Sequence, residues 1–134
     1  MMNVEQKESH IPIDAKDKSP AFRRRIWQSV AQRIGSPLTP VPANAAFSGI
    51  WDVDAEMFGT RQPMFEYDFS EDGTMTITST SGAAVSTEED SYAVRREGQL
   101  VMSGETYHAA TTEAGVLVLF NGDASLVLIA KKRE

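Results

Sequence analysis

The histidines and tyrosines are the side chains of this sequence with the clearest chemical use. His10 and His108 are its two histidines, and neither belongs to an H-x-H or H-E-x-x-H motif or to an Asp/Glu cluster with metal spacing. We therefore expect no metal and no other cofactor. The chain has no cysteine, which excludes a thiolate ligand and a Cys nucleophile. His108 follows Tyr107, so in an extended segment only one of the two can face inward. His108 is thus a weak catalytic candidate.

Two tyrosines favour a site more directly. Tyr67 shares one face of an extended segment with Phe65 and Phe69, and Tyr92 shares a face with Val94. A buried phenol hydroxyl needs a hydrogen-bond partner, and inside a barrel that partner is either a ligand or another group of a filled core. Both alternatives are open. If the protein is an enzyme, Tyr67 and Tyr92 are the weak catalytic candidates beside His108.

The alternation of side chains along each strand predicts what would surround a ligand. The predicted lining is aromatic or methionine, with little acid or base. Its members are Phe65, Tyr67, Phe69, Met75, Tyr92, Met102 and Tyr107. Such a lining favours a neutral or weakly polar ligand of aromatic or isoprenoid character, oriented by one or two tyrosine hydroxyls.

Length and charge limit the classes of protein to consider. A chain of 134 residues fits one domain with a real core. Thirteen Lys and Arg stand against 19 Asp and Glu, a net charge of −6, which disfavours nucleic acid as a partner. No apolar run is long enough to span a membrane, and residues 1–18 lack the apolar core of a signal peptide. We expect a cytoplasmic protein, with a homodimer left open.

The chain divides into three parts. Residues 1–18 are polar and aperiodic, which predicts a flexible tail. Residues 19–46 contain a helix over 19–35, with Ser19 as its cap and Gly35 just past its end, and then a Pro-rich connector. Residues 47–134 form the main domain. The helix has one apolar stripe, made of Phe22, Ile26, Val30 and Ile34.

From residue 47 the sequence alternates short strands with tight turns. We predict about eight strands up to residue 131, with a loop over 81–89 and a strand over 90–96. Hairpin-length links favour an antiparallel meander, and a meander of this size closes into an up-and-down barrel because closure removes exposed edges. The fold class is therefore mainly β, with one N-terminal helix.

The last two strands are apolar on both faces, so both faces need cover. Val118 and Phe120 alternate with Leu117 and Leu119, and the next strand repeats the pattern. The helix is the element that can cover the outside, with a lid over the barrel opening as the rival placement. In the outer position its arginines 23–25 come near the carboxylates of Asp52, Asp54 and Glu56.

Gly49-x-Trp51 on the first strand resembles the G-x-W signature of lipocalins and their calycin relatives, including bacterial lipocalin-like domains. The resemblance covers residues 47–131 and implies a barrel around a small ligand. It also implies that a cation from the last strand, among Lys131, Lys132 and Arg133, stacks on Trp51. The family's C-terminal helix is missing here. Gly49, Trp51 and Arg133 are accordingly predicted to be structural.

Three functional hypotheses follow. The first is a lipocalin-like protein that binds one small hydrophobic or aromatic molecule inside the barrel, where there is room for about one. The second is a barrel enzyme of cyclase or isomerase type, which encloses a hydrophobic substrate of natural-product type and hydrogen-bonds it through tyrosine. The third is a filled barrel that acts as a protein-interaction module.

Overall fold

The computed structural model describes residues 19–57, 59–80 and 85–134. In this part of the chain, helix α1 (Pro20–Ile34) precedes nine strands. The strands are β1 (Thr39–Pro40), β2 (Gly49–Met57), β3 (Thr60–Phe69), β4 (Thr74–Ser79), β5 (Ser86–Arg96), β6 (Gln99–Met102), β7 (Glu105–Thr111), β8 (Leu117–Phe120) and β9 (Val127–Lys132). The predicted tail 1–18, with His10, lies outside the described residues.

Strands β2 to β9 form a closed antiparallel barrel. Each pairs with the next along the chain, and β9 returns to pair with β2, with Trp51 opposite Lys132 and Glu56 opposite Val127. The predicted fold class, an eight-stranded antiparallel barrel with one N-terminal helix, is therefore confirmed. The two-residue strand β1 extends the sheet where β7 runs beyond β6, with Thr39 opposite Thr111.

Strand β5 is longer than the sequence predicts. It begins at Ser86, so the prediction of a loop is wrong for residues 86–89, while residues 81–84 lie outside the described part of the chain. Residues 86–91 pair with β4 from Ser79↔Ser86 to Thr74↔Ser91. Backbone hydrogen bonds to β4 hold this polar stretch extended, although its side chains are poor strand formers.

Helix α1 has the ends that the sequence predicts. The backbone N–H of Phe22 donates to Ser19 Oγ at 3.1 Å, which is an N-cap contact. Gly35 has a left-handed φ of 80°, and its N–H donates to the Ala31 carbonyl oxygen at 2.8 Å. Between these ends the stripe formed by Phe22, Ile26 and Val30 is buried.

The helix lies against the outside of β8 and β9. Its buried stripe packs on Val118, Phe120, Val127 and Ile129, and the partly buried Ile34 belongs to the same cluster. The opposite faces of these strands fill the barrel interior with Leu117, Leu119, Leu128 and Ala130. The predicted outer placement is thus confirmed, and Leu117 and Leu119 belong to the inner face.

An ion pair between Arg33, at the end of the helix, and Glu56 joins α1 to β2. Glu56 is only 5% exposed, and its Oε1 accepts a hydrogen bond from Arg33 Nε at 3.0 Å. Arg33 also donates to the Ala124 carbonyl oxygen at 2.8 Å, and the Gly59 N–H donates to Glu56 Oε2 at 2.9 Å. The prediction that arginines 23–25 serve Glu56 is wrong, because Arg33 in the last helical turn faces this strand.

The Pro-rich connector closes one end of the barrel. Val41 is buried in the interior, its N–H donates to the Ala109 carbonyl oxygen, and its own carbonyl accepts from Gly98. Further along, the Asn44 N–H donates to the Val94 carbonyl oxygen at 2.7 Å. We call this the plugged end; it contains the turns at 70–73, 97–98 and 112–116. The opposite end, with the turns at 103–104 and 121–126, is the distal end.

Replacing Ile26 with Ala should destabilise the protein by about 2–4 kcal/mol, because the side chain is enclosed between helix and barrel. Chemical denaturation measures the free energy of unfolding. Gln28→Ala, an exposed change on the same helix, is the matched control and should change it by less than about 0.5 kcal/mol. Equal effects of the two changes would contradict the outer packing of α1.

Candidate functional site

The barrel interior holds a continuous series of aromatic rings. On β3, Phe65 stacks on Tyr67 with centroids 5.8 Å apart, and Tyr67 meets Phe69 edge-on at 5.8 Å. Phe69 in turn contacts Tyr92 at 4.9 Å. Met75 and Met102 are buried in the same cluster. All seven predicted lining residues therefore lie in or against this interior cluster, with Phe65 and Tyr107 only partly buried.

Tyr92 is held by the protein itself at the plugged end. Its hydroxyl lies 2.7 Å from the Ser70 carbonyl oxygen and 3.0 Å from that of Phe47, and it accepts the Phe47 N–H at 2.9 Å. The Phe47 ring stacks on the Tyr92 ring at 5.5 Å. These contacts use the hydrogen-bonding capacity of the phenol, so Tyr92 has a structural environment.

The Tyr67 hydroxyl has the opposite environment. The residue is 2% exposed, yet no group of the described residues hydrogen-bonds to its hydroxyl. Among these residues no fully enclosed polar side-chain atom lacks a partner. The Tyr67 hydroxyl must therefore border open space, although the rest of the side chain is buried. An aromatic wall with one such hydroxyl is an arrangement that can orient a small ligand.

Tyr107 interacts electrostatically with Tyr67 and is itself hydrogen-bonded to a carboxylate. The Tyr107 hydroxyl donates to Glu105 Oε2 at 2.9 Å. Burial, the bond to Glu105 and its charge raise the pKa of Tyr107 to about 12. Burial and the neighbouring Tyr107 also raise the pKa of Tyr67 well above its usual range. Both phenols therefore keep their protons at neutral pH.

The distal end has an apolar rim. The two large hydrophobic side chains that are exposed in the described residues, Met57 (48% exposed) and Val85 (74%), both lie here, at the end of β2 and just before β5. Phe65 and Tyr107 are partly buried, whereas Phe69 and Tyr92, toward the plugged end, are enclosed. Phe65 and Tyr107 are thus partly exposed, whereas Met102, Leu119 and Leu128 on other strands of the distal half are buried.

His108 lies outside the barrel, away from the tyrosines. It shares the outer face with Phe120, whose ring centroid is 4.9 Å away, and its Nδ1 accepts a hydrogen bond from Trp27 Nε1 of the helix at 3.4 Å. Burial and the charge of Arg23 hold the pKa of His108 below its ordinary value. Of the pair Tyr107 and His108, the tyrosine faces the interior.

The G-x-W stretch lies at the plugged end. Gly49 has a φ of 87°, and a Cβ there would lie 3.1 Å from Lys132 Cε, so both backbone and space favour glycine. The Trp51 Nε1–H donates to the Ser48 carbonyl oxygen at 3.1 Å. Arg133 binds the carboxylates of Asp52 and Glu66, the latter at 2.8 Å. Of the three candidate cations, Lys132 is the one that lies opposite Trp51 in the sheet and next to Gly49; its stacking on the indole stays a prediction.

Sequence reasoning missed two kinds of residue at this site. Val41 belongs to the interior, but no periodic pattern marks a residue of the irregular connector. Glu105 follows a turn at the start of β7 and bonds to Tyr107. The i, i+2 spacing of Glu105 and Tyr107 was the available signal, since it puts both on one face of a strand.

In the described residues no group of three or more Asp, Glu or His side chains has a geometry that could hold a metal ion. Within the same ranges, no helix has the length and apolarity that a membrane span requires. Comparisons with protein-family models, with curated proteins and with solved structures found no match to this chain. The closed barrel is compatible with a calycin-like fold, and the site must be interpreted from its own geometry.

Replacing Tyr92 with Phe should lower the free energy of unfolding by about 1–3 kcal/mol, because it leaves the backbone groups of Phe47 and Ser70 without their partner. Tyr67→Phe is the matched control. It should cost less than about 0.5 kcal/mol, since its hydroxyl bonds to no described residue. Thermal or urea unfolding measures both, and the reverse order would contradict this assignment.

The burial of His108 beside Arg23 predicts a pH dependence of stability. Because the folded protein holds the pKa of His108 below its unfolded value, the unfolded chain takes up a proton that the native state excludes. Stability should be level above about pH 7 and fall as the pH decreases toward about 5. His108→Gln, which cannot titrate, should reduce this slope. An unchanged slope in urea unfolding would contradict the prediction.

Proposed function

We propose that this protein binds one small hydrophobic or aromatic molecule inside its barrel, entering from the distal end. The observation that carries the proposal is the Tyr67 hydroxyl, which lies on a buried aromatic wall without a hydrogen-bond partner among the described residues. Because this hydroxyl is not fully enclosed, it can donate a hydrogen bond to a molecule that enters the barrel.

The direction of entry follows from the difference between the two ends. Val41, Phe47 and the stacked Tyr92 obstruct the plugged end. The exposed Met57 and Val85 border the distal end, where apolar side chains on a rim suit the passage of a hydrophobic molecule. An eight-stranded barrel has room for about one small ligand besides its own side chains.

Protonation of the two phenols suits them to the recognition of a ligand. The raised pKa values of Tyr67 and Tyr107 make them hydrogen-bond donors and poor bases at neutral pH. His108, the other catalytic candidate, lies on the outer face against Phe120 and Trp27. The donors suit the recognition of an oxygen or nitrogen atom on a ligand.

Binding of a neutral fluorescent aromatic alcohol, such as naphthylmethanol, tests the proposal. We expect saturable one-to-one binding to the unmodified protein. Tyr67→Phe keeps the ring and removes the hydroxyl, and should weaken binding by about 0.5–1.5 kcal/mol, which is roughly two- to twelvefold in Kd.

Tyr92→Phe is the control, because its hydroxyl bonds to the protein. It should lower the unfolding temperature and leave the Kd of the folded protein unchanged within about twofold. Absence of saturable binding, or equal effects of the two changes on Kd, would overturn the interior site.

A further inference from the structure

Three carboxylates continue the inner face of the barrel toward the distal end. In an antiparallel pair, residues opposite each other lie on the same face. Glu88 lies opposite Ile77 and Asp90 opposite Met75, and both apolar partners belong to the interior cluster. On β7, Glu105 likewise lies opposite the interior Met102.

Within residues 19–57, 59–80 and 85–134, no positive charge balances these carboxylates on the inner face. In the distal half of the described strands this face carries no lysine or arginine. Arg61, the strand cation nearest this end, lies opposite Glu56 on the outer face. Lys132 is on the inner face but at the plugged end, beside Gly49. In the distal half of the described strands, the charged side chains on the inner face are therefore negative.

The carboxylates are contiguous with the Tyr67 hydroxyl. Tyr107 bonds to Glu105 and interacts electrostatically with Tyr67, so the hydroxyl that lacks a partner borders the acidic group. Asp90 is held by the Ser103 hydroxyl at 2.6 Å and the Ser91 N–H at 2.8 Å, and these bonds keep its pKa below the ordinary value. It is therefore ionised at neutral pH. Glu88 is exposed at the rim.

We infer that the interior ligand is a hydrophobic cation, with an aromatic or aliphatic body beside Phe65 and Tyr67 and a protonated amine near Glu88, Asp90 and Glu105. This inference rests on the proposed interior site and adds a charge to it. It differs from the sequence-based expectation of a neutral or weakly polar ligand. That expectation left out Glu88, because the sequence analysis placed residues 86–89 in a loop. Three carboxylates of like charge at the edge of an apolar surface attract a protonated amine, and salt screens this attraction because Glu88 and Glu105 are exposed to solvent.

A matched set of three probes tests the charge. Naphthylmethylamine, naphthylmethanol and naphthylacetate share one fluorescent ring and differ in a positive, neutral or negative group. We expect the amine to bind about fivefold or more tightly than the alcohol, and the carboxylate to bind most weakly. Raising the salt from about 0.05 M to about 0.5 M should reduce the preference for the amine, since the rim is open to solvent.

Charge removal at the distal end gives the second measurement. The double variant Glu88→Gln and Glu105→Gln should reduce the amine's affinity about three- to tenfold and leave that of the alcohol within about twofold. The matched control, Glu97→Gln with Glu113→Gln, removes the same charge from exposed turns at the plugged end. It should leave the affinities for all three probes unchanged.

The outcomes separate this inference from the proposed function. If alcohol and amine bind equally and Tyr67→Phe weakens both, the interior site stands and the preference for a cation is wrong. If both double variants weaken the amine equally, the effect comes from net charge and the inference also fails. If no probe binds the unmodified protein, the proposed function falls and this inference with it.

Discussion

The strands β8 and β9 are apolar on both faces, and much of the structure follows from the need to cover both. Their inner side chains, such as Leu119 and Leu128, fill the barrel, and their outer ones, such as Phe120 and Val127, would be exposed in a bare barrel. Helix α1 removes this second face from water. The hydrophobic contribution of such burial is roughly 1.5–3 kcal/mol for each large side chain, far more than a surface ion pair supplies. The Arg33–Glu56 pair is not of the surface kind, because Glu56 is buried, and losing Arg33 would leave that carboxylate without its partner.

The position of the helix also determines which end of the barrel is closed. Leu38 packs in the helix layer and Val41 in the barrel interior, so the connector passes from the outer layer into the plugged end. Its backbone hydrogen bonds to Gly98, Ala109 and Val94 fix it there. Phe47 then seals the end against Tyr92. One end of the barrel is therefore occupied by the protein's own connector, while Phe65 and Tyr107, toward the other end, stay partly exposed.

Tyr67 and Tyr92 are chemically identical side chains whose hydroxyl groups have different hydrogen bonding because they lie at different positions in the barrel. Both are buried and both face inward. Tyr92 meets the connector and satisfies its hydroxyl on backbone groups, which makes it part of the closure. Tyr67 lies two residues from Phe69 on the same strand, beyond the reach of the connector, and its hydroxyl keeps its capacity for another molecule. The carboxylates on the inner face of β5 and β7 lie on the same side as Tyr107, which interacts with the Tyr67 hydroxyl.

The local sequence pattern alone predicted the barrel strands, the ends of the helix and most of the interior side chains. Strict alternation around Phe65, Tyr67 and Phe69 placed three rings on one inner wall, and Ser19 and Gly35 marked the ends of the helix, because these signals depend on neighbouring residues alone. The two-sided apolarity of the last strands also predicted where the helix lies. Tertiary structure decided the rest. Residues 86–89 form a strand because β4 pairs with them. Arg33, and not arginines 23–25, reaches Glu56 in the folded protein. The connector is held in the plugged end by backbone hydrogen bonds to residues distant in sequence. The difference between the two tyrosine hydroxyls is likewise tertiary, since only the folded chain brings Phe47 and Ser70 to one of them.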